Sequence, residues 1–184
     1  ALATVPGPAQ ADGPLPIIWQ AAFGPGPMGG AGWANPADFV QTSDGCFLIA
    51  GGANGPANGI RTEPICGGIA DVWVIKIDGQ GQRLWDKSYG GTSDDILTRA
   101  EPMPDGGWLL CGQSTSLPFP KGGKTSPRFG GSDFWIVRID EQGNRLWDQS
   151  FGGSDYEGRG PALDSAPVPL WLRIKHTADA GFLP

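Results

Sequence analysis

Apolar residues in this chain fall in short runs punctuated by Gly, Pro, Asp and Asn. The run Asp71-Val-Trp-Val-Ile-Lys-Ile-Asp78 is too short for a helix and is bounded by turn formers, so it predicts a strand. The pattern that follows predicts four more strands. Residues 83–89 carry aromatics, 96–103 are irregular at Pro102, 108–114 are apolar on both faces and therefore central, and 133–140 close the set. Turns are expected at 90–95, at Pro104-Asp105-Gly106-Gly107 and at 140–144, where Asp and Gly tolerate positive φ. A longer loop spans 115–131. Upstream, the turn Thr42-Ser43-Asp44-Gly45 leads into a strand at 46–51, a long loop at 53–70 and the strand 71–78.

The pattern repeats. Arg83-Leu-Trp-Asp-Lys-Ser-Tyr-Gly-Gly91 returns as Arg145-Leu-Trp-Asp-Gln-Ser-Phe-Gly-Gly153, and Asp71–Asp78 returns as Asp133-Phe-Trp-Ile-Val-Arg-Ile-Asp140. A diverged copy lies at Trp19-Gln-Ala-Ala-Phe23-Gly24. Four short strands per unit, joined by hairpin turns, is the recipe for a propeller blade. The expected class is all-β, a propeller-like array of about three four-stranded blades with the third incomplete. The units are a Pro-rich N-terminal arm at 1–16, repeat 1 at 17–82, repeat 2 at 83–144 and a partial, degraded repeat 3 at 145–184. After Gly158 the pattern fails until His176-Thr-Ala-Asp-Ala-Gly-Phe-Leu183. Three copies do not close an ordinary ring, and open units leave edges that invite association.

Composition narrows the function classes. Gly 31 and Pro 18 in 184 residues approach the low-complexity range, but Trp 8 and Phe 8 supply the apolar area that a disordered chain lacks. The net charge of −6 disfavours nucleic acid and anionic membrane surfaces. No apolar run is long enough for a transmembrane helix. The start Ala1-Leu2-Ala3 has the small-x-small look of a signal-peptidase site, which fits a mature exported protein; a piece of a longer sequence is the other reading. The spacing of Cys46, Cys66 and Cys111 matches no zinc pattern. Cys46 and Cys66 could pair in an exported protein, and Cys111 reads as a small buried hydrophobe.

The units resemble the repetitive β-propeller segments of large exported bacterial proteins, often lipoproteins or proteins with a C-terminal sorting domain. Their repeats run D-Y-W-V-V-K-L-D-x-x-G-x-x-x-W-D-K-x-F-G-G-S-x-x-D, then x-T-x-D-G-G-F-L-L-x-G. Here 71–91, 105–112, 133–153 and 42–52 match, and Lys121-Gly-Gly-Lys-Thr-Ser126 is similar to the family's blade loop. The resemblance implies an extracellular or cell-envelope location and a structural or protein-binding role. It carries over no catalytic residue and no cofactor.

Single motifs are weighed against that background. Trp85 and Trp147 resemble the tryptophan-docking stretch of quinoprotein propellers and read as core between blades; Trp73 and Trp135 read as core within them. Asp44 and Asp105 are similar to the Asp-box turn of sialidases, with the aromatic one position early, and read as structural turn formers. A quinoprotein would need a complete ring and a calcium site. A glycosidase would need two placed carboxylates; here the acids recur as turn formers. Asp94, Asp95, Asp155 and Glu157 follow each Gly-Gly and are weak calcium candidates without EF-hand spacing. His176, the only histidine, reads as a turn or surface residue. The interaction candidates are Phe119, Lys121, Lys124, Arg128 and Phe129, with the counterpart loop 54–68, because long loops on rigid scaffolds carry binding. The expected protein is a non-enzymatic subunit that associates with a protein partner or with itself. The alternative is part of a larger secreted propeller that binds carbohydrate or peptide.

Overall fold

The computed structural model describes residues 20–23, 32–57, 61–119 and 123–156. The expected arm 1–16, Trp19, Gly24, Lys121, Glu157 and His176 lie outside them. Eight strands run in chain order: β1 (Ala34–Gln41), β2 (Phe47–Ala53), β3 (Asp71–Ile77), β4 (Arg83–Tyr89), β5 (Asp95–Pro102), β6 (Trp108–Ser114), β7 (Asp133–Ile139) and β8 (Arg145–Phe151). They form two four-stranded antiparallel sheets, ordered β1-β2-β3-β4 and β5-β6-β7-β8. The all-β class agrees with the sequence pattern, strands β2 to β8 fall within about two residues of their expected places, β1 has no expected span, and β6 is interior as its two apolar faces imply.

The sheets and the expected units are out of phase by one strand. Units cut at 82/83 and 144/145 would separate β3 from β4 and β7 from β8. Each of those pairs is instead a tight hairpin. The Asp78 carboxylate accepts the Gln80 and Gln82 N–H groups (2.9 and 2.8 Å), and Asp140 accepts those of Gln142 and Asn144 (2.9 and 2.7 Å). A turn this short forces its flanking strands to pair. So Arg83–Tyr89 closes the first sheet, and Arg145–Phe151 closes the second rather than opening a third. Residues 20–23 carry no strand, although Phe23 packs on the first sheet.

The core lies between the sheets. Leu48, Ala50, Val72, Val74 and Tyr89 of the first face Leu97, Ala100, Trp108, Leu110, Trp135, Val137 and Ile139 of the second, with Val40 and Trp85 at the margin. Strand β3 is buried on both faces. Its other side, Trp73, Ile75 and Ile77, builds a second cluster with Ala53, Phe47, Ile49 and Phe23. This explains why β3 reads as a continuous apolar run instead of an alternating one.

Burial along a strand predicts unequal costs of truncation. Leu110→Ala, in the inter-sheet core, is expected to cost about 2–5 kcal/mol, whereas Leu84→Ala, half-exposed on β4, stays within about 0.5 kcal/mol. Urea unfolding of the two variants checks the contrast.

Candidate functional site

From the two long loops, residues 61–66 lie beside the fourth strand of the first sheet and residues 125–126 beside that of the second. One carboxylate holds each of them there. Asp86 on β4 accepts the Thr62 N–H (2.9 Å) and hydroxyl, the Trp73 Nε1–H (3.0 Å) and Arg83 Nη1 (2.7 Å). Asp148 on β8 accepts the Thr125 N–H (3.1 Å) and hydroxyl, the Ser126 N–H (2.9 Å), the Trp135 Nε1–H (3.0 Å) and Arg145 Nη1. Burial alone would raise both carboxyls, but these donors hold Asp86 and Asp148 below the ordinary carboxylate range.

A buried cation precedes each docking threonine. Arg61 donates to the Glu63 and Gly55 carbonyls (2.9 and 3.3 Å) and to Ser88 Oγ (2.8 Å), and its guanidinium lies 5.7 Å from the Trp73 ring centre. Lys124 is wholly buried, its ammonium donating to the Ser126 and Pro127 carbonyls (2.7 and 3.0 Å). Lys124, expected as a binding side chain, is therefore consumed by the fold of its own loop. Arg128 is exposed, with Nη1 on the Thr115 carbonyl (3.0 Å), and Phe129 is exposed while its N–H donates to Asp133 (2.8 Å). Phe119 is half-buried and turns toward the other loop.

Where the loops approach each other, a cleft of about 630 Å³ opens at the sheet junction. Ile65 and Cys66 come from the first loop, Phe119 from the second, Lys87 from β4, Asn144 from the β7–β8 turn and Arg145 from the start of β8. Lys87 is paired with Glu63 (3.2 Å). The lining is mixed: Pro64, Ile65 and Phe119 are apolar, and Lys87, Ser88, Asn144 and Arg145 bring donors. The Cys66 thiol is pushed up to about 12 by burial and the neighbouring Asp71, which makes it a poor nucleophile. All three cysteines are free, so the possible Cys46–Cys66 pairing is absent, and Cys111 is half-buried rather than buried.

The remaining candidates have structural positions. Asp44 pairs with Lys76 (2.9 Å) and Asp105 with Arg138 (2.8 Å), each turn acid locked to the basic residue of the facing strand. Trp73 and Trp135 are core. Trp85 packs edge-on against Trp108 of the second sheet (6.1 Å between ring centres) and donates to the Glu141 carbonyl (3.2 Å). Gly143 permits this approach: its φ is 77°, and a Cβ there would sit 2.9 Å from the Trp85 ring. Trp147, expected to be core like Trp85, is 39% exposed. Asp95 is buried in the turn it caps and Asp155 is exposed; among the described residues no group of three or more His, Cys, Asp or Glu is placed to hold a metal ion. Nor is any helix among them long and apolar enough to cross a membrane.

Sequence reasoning singled out the Trp of each Trp-Asp pair and passed over the Asp. The available signal was the paired recurrence of Trp-Asp (85–86, 147–148) with a basic residue and Thr (61–62, 124–125). No protein-family model and no curated protein matches the chain.

Replacing Asp86 by Ala strands several buried donors at once, at a cost on the order of 3 kcal/mol, and should speed tryptic cleavage at Arg61 relative to wild type. Because the folded-state values of Asp86 and Asp148 are depressed, their stabilisation is complete above about pH 4 and is lost as the pH falls through those values. Acid denaturation of Asp148→Asn should show a shallower loss of stability below about pH 4 than wild type.

Proposed function

We propose that this chain is a non-enzymatic, exported structural or protein-interaction subunit, its sheets stacked like consecutive propeller blades and its open face completed by a protein partner. One observation carries the reading. On the outer face of the second sheet, Phe134, Trp147 and Phe151 are 39%, 39% and 52% exposed. The corresponding positions of the first sheet, Val72, Trp85 and Tyr89, are covered by the second sheet. A contiguous aromatic face of this kind marks an interaction surface.

Faces support the reading better than edges do. The outer edges of β4 and β8 run beside the long loops that Asp86 and Asp148 pin in place. The opposite edges, β1 and β5, are interrupted by register shifts at Pro36/Asp38 and Leu97/Arg99 and carry Pro36 and Pro102. Such features block strand addition. The resemblance to exported bacterial propeller segments supports an extracellular or cell-envelope location. The cleft beside Phe119 favours a second reading, in which the loop face binds carbohydrate or an extended peptide.

Light scattering after size exclusion tests the first reading. Wild type is expected to form a discrete oligomer or polymer, and the double variant Trp147→Thr, Phe151→Thr to run as a folded monomer of 19.2 kDa. A wild-type monomer would shift attention to the cleft and to glycan or peptide binding.

A further inference from the structure

The chain crosses from the first sheet to the second through residues 90–94, and two aspartates flank that crossing. Asp71 opens β3 and Asp95 opens β5. Both are wholly buried. The Asp95 N–H donates to the Ala70 carbonyl (2.9 Å), which ties the start of the second sheet to the start of β3. One oxygen of each carboxyl is occupied: Asp71 Oδ2 accepts the Cys66 N–H, and Asp95 Oδ2 accepts the Gly91 N–H and the Ser116 hydroxyl (2.7 Å each). The other oxygen of each, Oδ1, is buried without a hydrogen-bond partner. The carboxyls are close neighbours. A Cβ built on Gly90 would lie 2.1 Å from Asp71 Oδ1 and 2.8 Å from Asp95 Oδ2.

Two buried carboxylates this close, each with an unmet oxygen, are costly to hold fully ionised. The charged groups around them offset only part of the cost: Arg61 lowers Asp71 and Lys124 lowers Asp95, but burial outweighs both. From the β2–β3 loop, Arg61 spends its donors on Glu63, Gly55 and Ser88, and Cys66 offers a neutral thiol. From the β6–β7 loop, Lys124 spends its ammonium on Ser126 and Pro127. From the crossing itself, Asp94 adds a third carboxyl with a buried, unpartnered oxygen.

We propose that Asp71 and Asp95 retain a proton between them near neutral pH and form a pH-sensitive latch at the sheet junction, closed in mild acid and weakened once both carboxyls ionise. A protonated carboxyl supplies the donor that the pair lacks; on ionisation the proton leaves to solvent and two like charges remain in the junction. Burial pushes Asp71 up to about 7, with the Asp95 charge adding to the rise, and burial pushes Asp95 up to about 6. The folded state therefore holds more protons than the unfolded chain above about pH 4. The latch contributes fully below that point and is lost as the pH rises through about 6 to 7.

The test is thermal unfolding between about pH 5 and pH 8.5, with ¹³C-carboxyl NMR titration of the wild-type chain. The wild-type midpoint is expected to fall by several degrees as the pH rises, and at least one Asp carboxyl should titrate near or above pH 6. In Asp95→Asn the side-chain amide takes the place of the protonated carboxyl at every pH, so the fall should flatten. His176 is retained in that variant, so its own titration cancels in the comparison. Ionisation of every Asp carboxyl below about pH 5, or an equal fall in Asp95→Asn, overturns the proposal. Should the variant fail to fold, the wild-type titration decides alone.

Discussion

A buried carboxylate on the last strand of each sheet organises the rest of the fold. Asp86 and Asp148 each gather backbone N–H groups and a hydroxyl from a long loop, an indole from the adjacent strand and a guanidinium from three residues earlier. A loop of some fifteen residues lacking strands of its own would ordinarily be the least ordered part of a small β-protein. Here its middle, Thr62-Glu63 in one loop and Thr125-Ser126 in the other, is tied to the strand beside it. The same contact covers the free edge of that strand. One residue thus fixes a loop, caps an edge and orients the core tryptophan, and these effects fail together if it is removed.

The sheets are joined differently, by shape and by backbone. Trp85 reaches Trp108 and the Glu141 carbonyl only because Gly143 leaves room, and the Tyr89 hydroxyl donates to the Gly143 carbonyl (2.6 Å). Lys76 sets its ammonium 5.4 Å from the Trp108 ring centre, while Asp44 neutralises it from the turn. Asp38 accepts the Ala100 N–H across the same interface (2.9 Å). The junction is therefore apolar in the middle and satisfied by specific polar contacts at its rim. The Asp71, Asp94 and Asp95 carboxyls and the Trp108 indole N–H are exceptions, each with a buried polar atom lacking a partner.

Much of this fold was legible in the sequence because its signals are local. Short apolar runs bounded by Gly, Asp and Asn turns placed the strands, and the recurrence of Arg-Leu-Trp-Asp showed that two stretches are built alike. The phase was not legible. A repeat can be cut anywhere along its period, and only the hairpin at Asp78–Gln82 shows that Arg83–Tyr89 belongs with the strand before it. The role of Lys124 was also hidden, since a lysine in a Gly- and Pro-rich loop reads as solvated until the loop is seen to close over it. Trp147 and Trp85 share a sequence context and differ in burial, because among the described residues a second sheet covers Trp85 and none covers Trp147, and no single strand encodes that.

The stacking has a direction, and that direction bears on assembly. Tyr89, at the end of the first sheet, packs forward onto the second. Phe23 holds the matching place in the upstream Trp-x-x-x-Phe segment and packs forward onto the far face of the first sheet. Phe151 is the third member of the series and is half-exposed. The contact between the two sheets joins the outer face of the first to the inner face of the second, so the two surfaces differ. A partner that continued this geometry would make a heterologous contact, and such contacts close into rings or extend as filaments. A self-complementary dimer would need a different packing from the one that joins the two sheets. The choice between ring and filament then rests on the rotation per sheet, which the Trp85–Gly143 contact and the Asp95–Ala70 backbone bond jointly set.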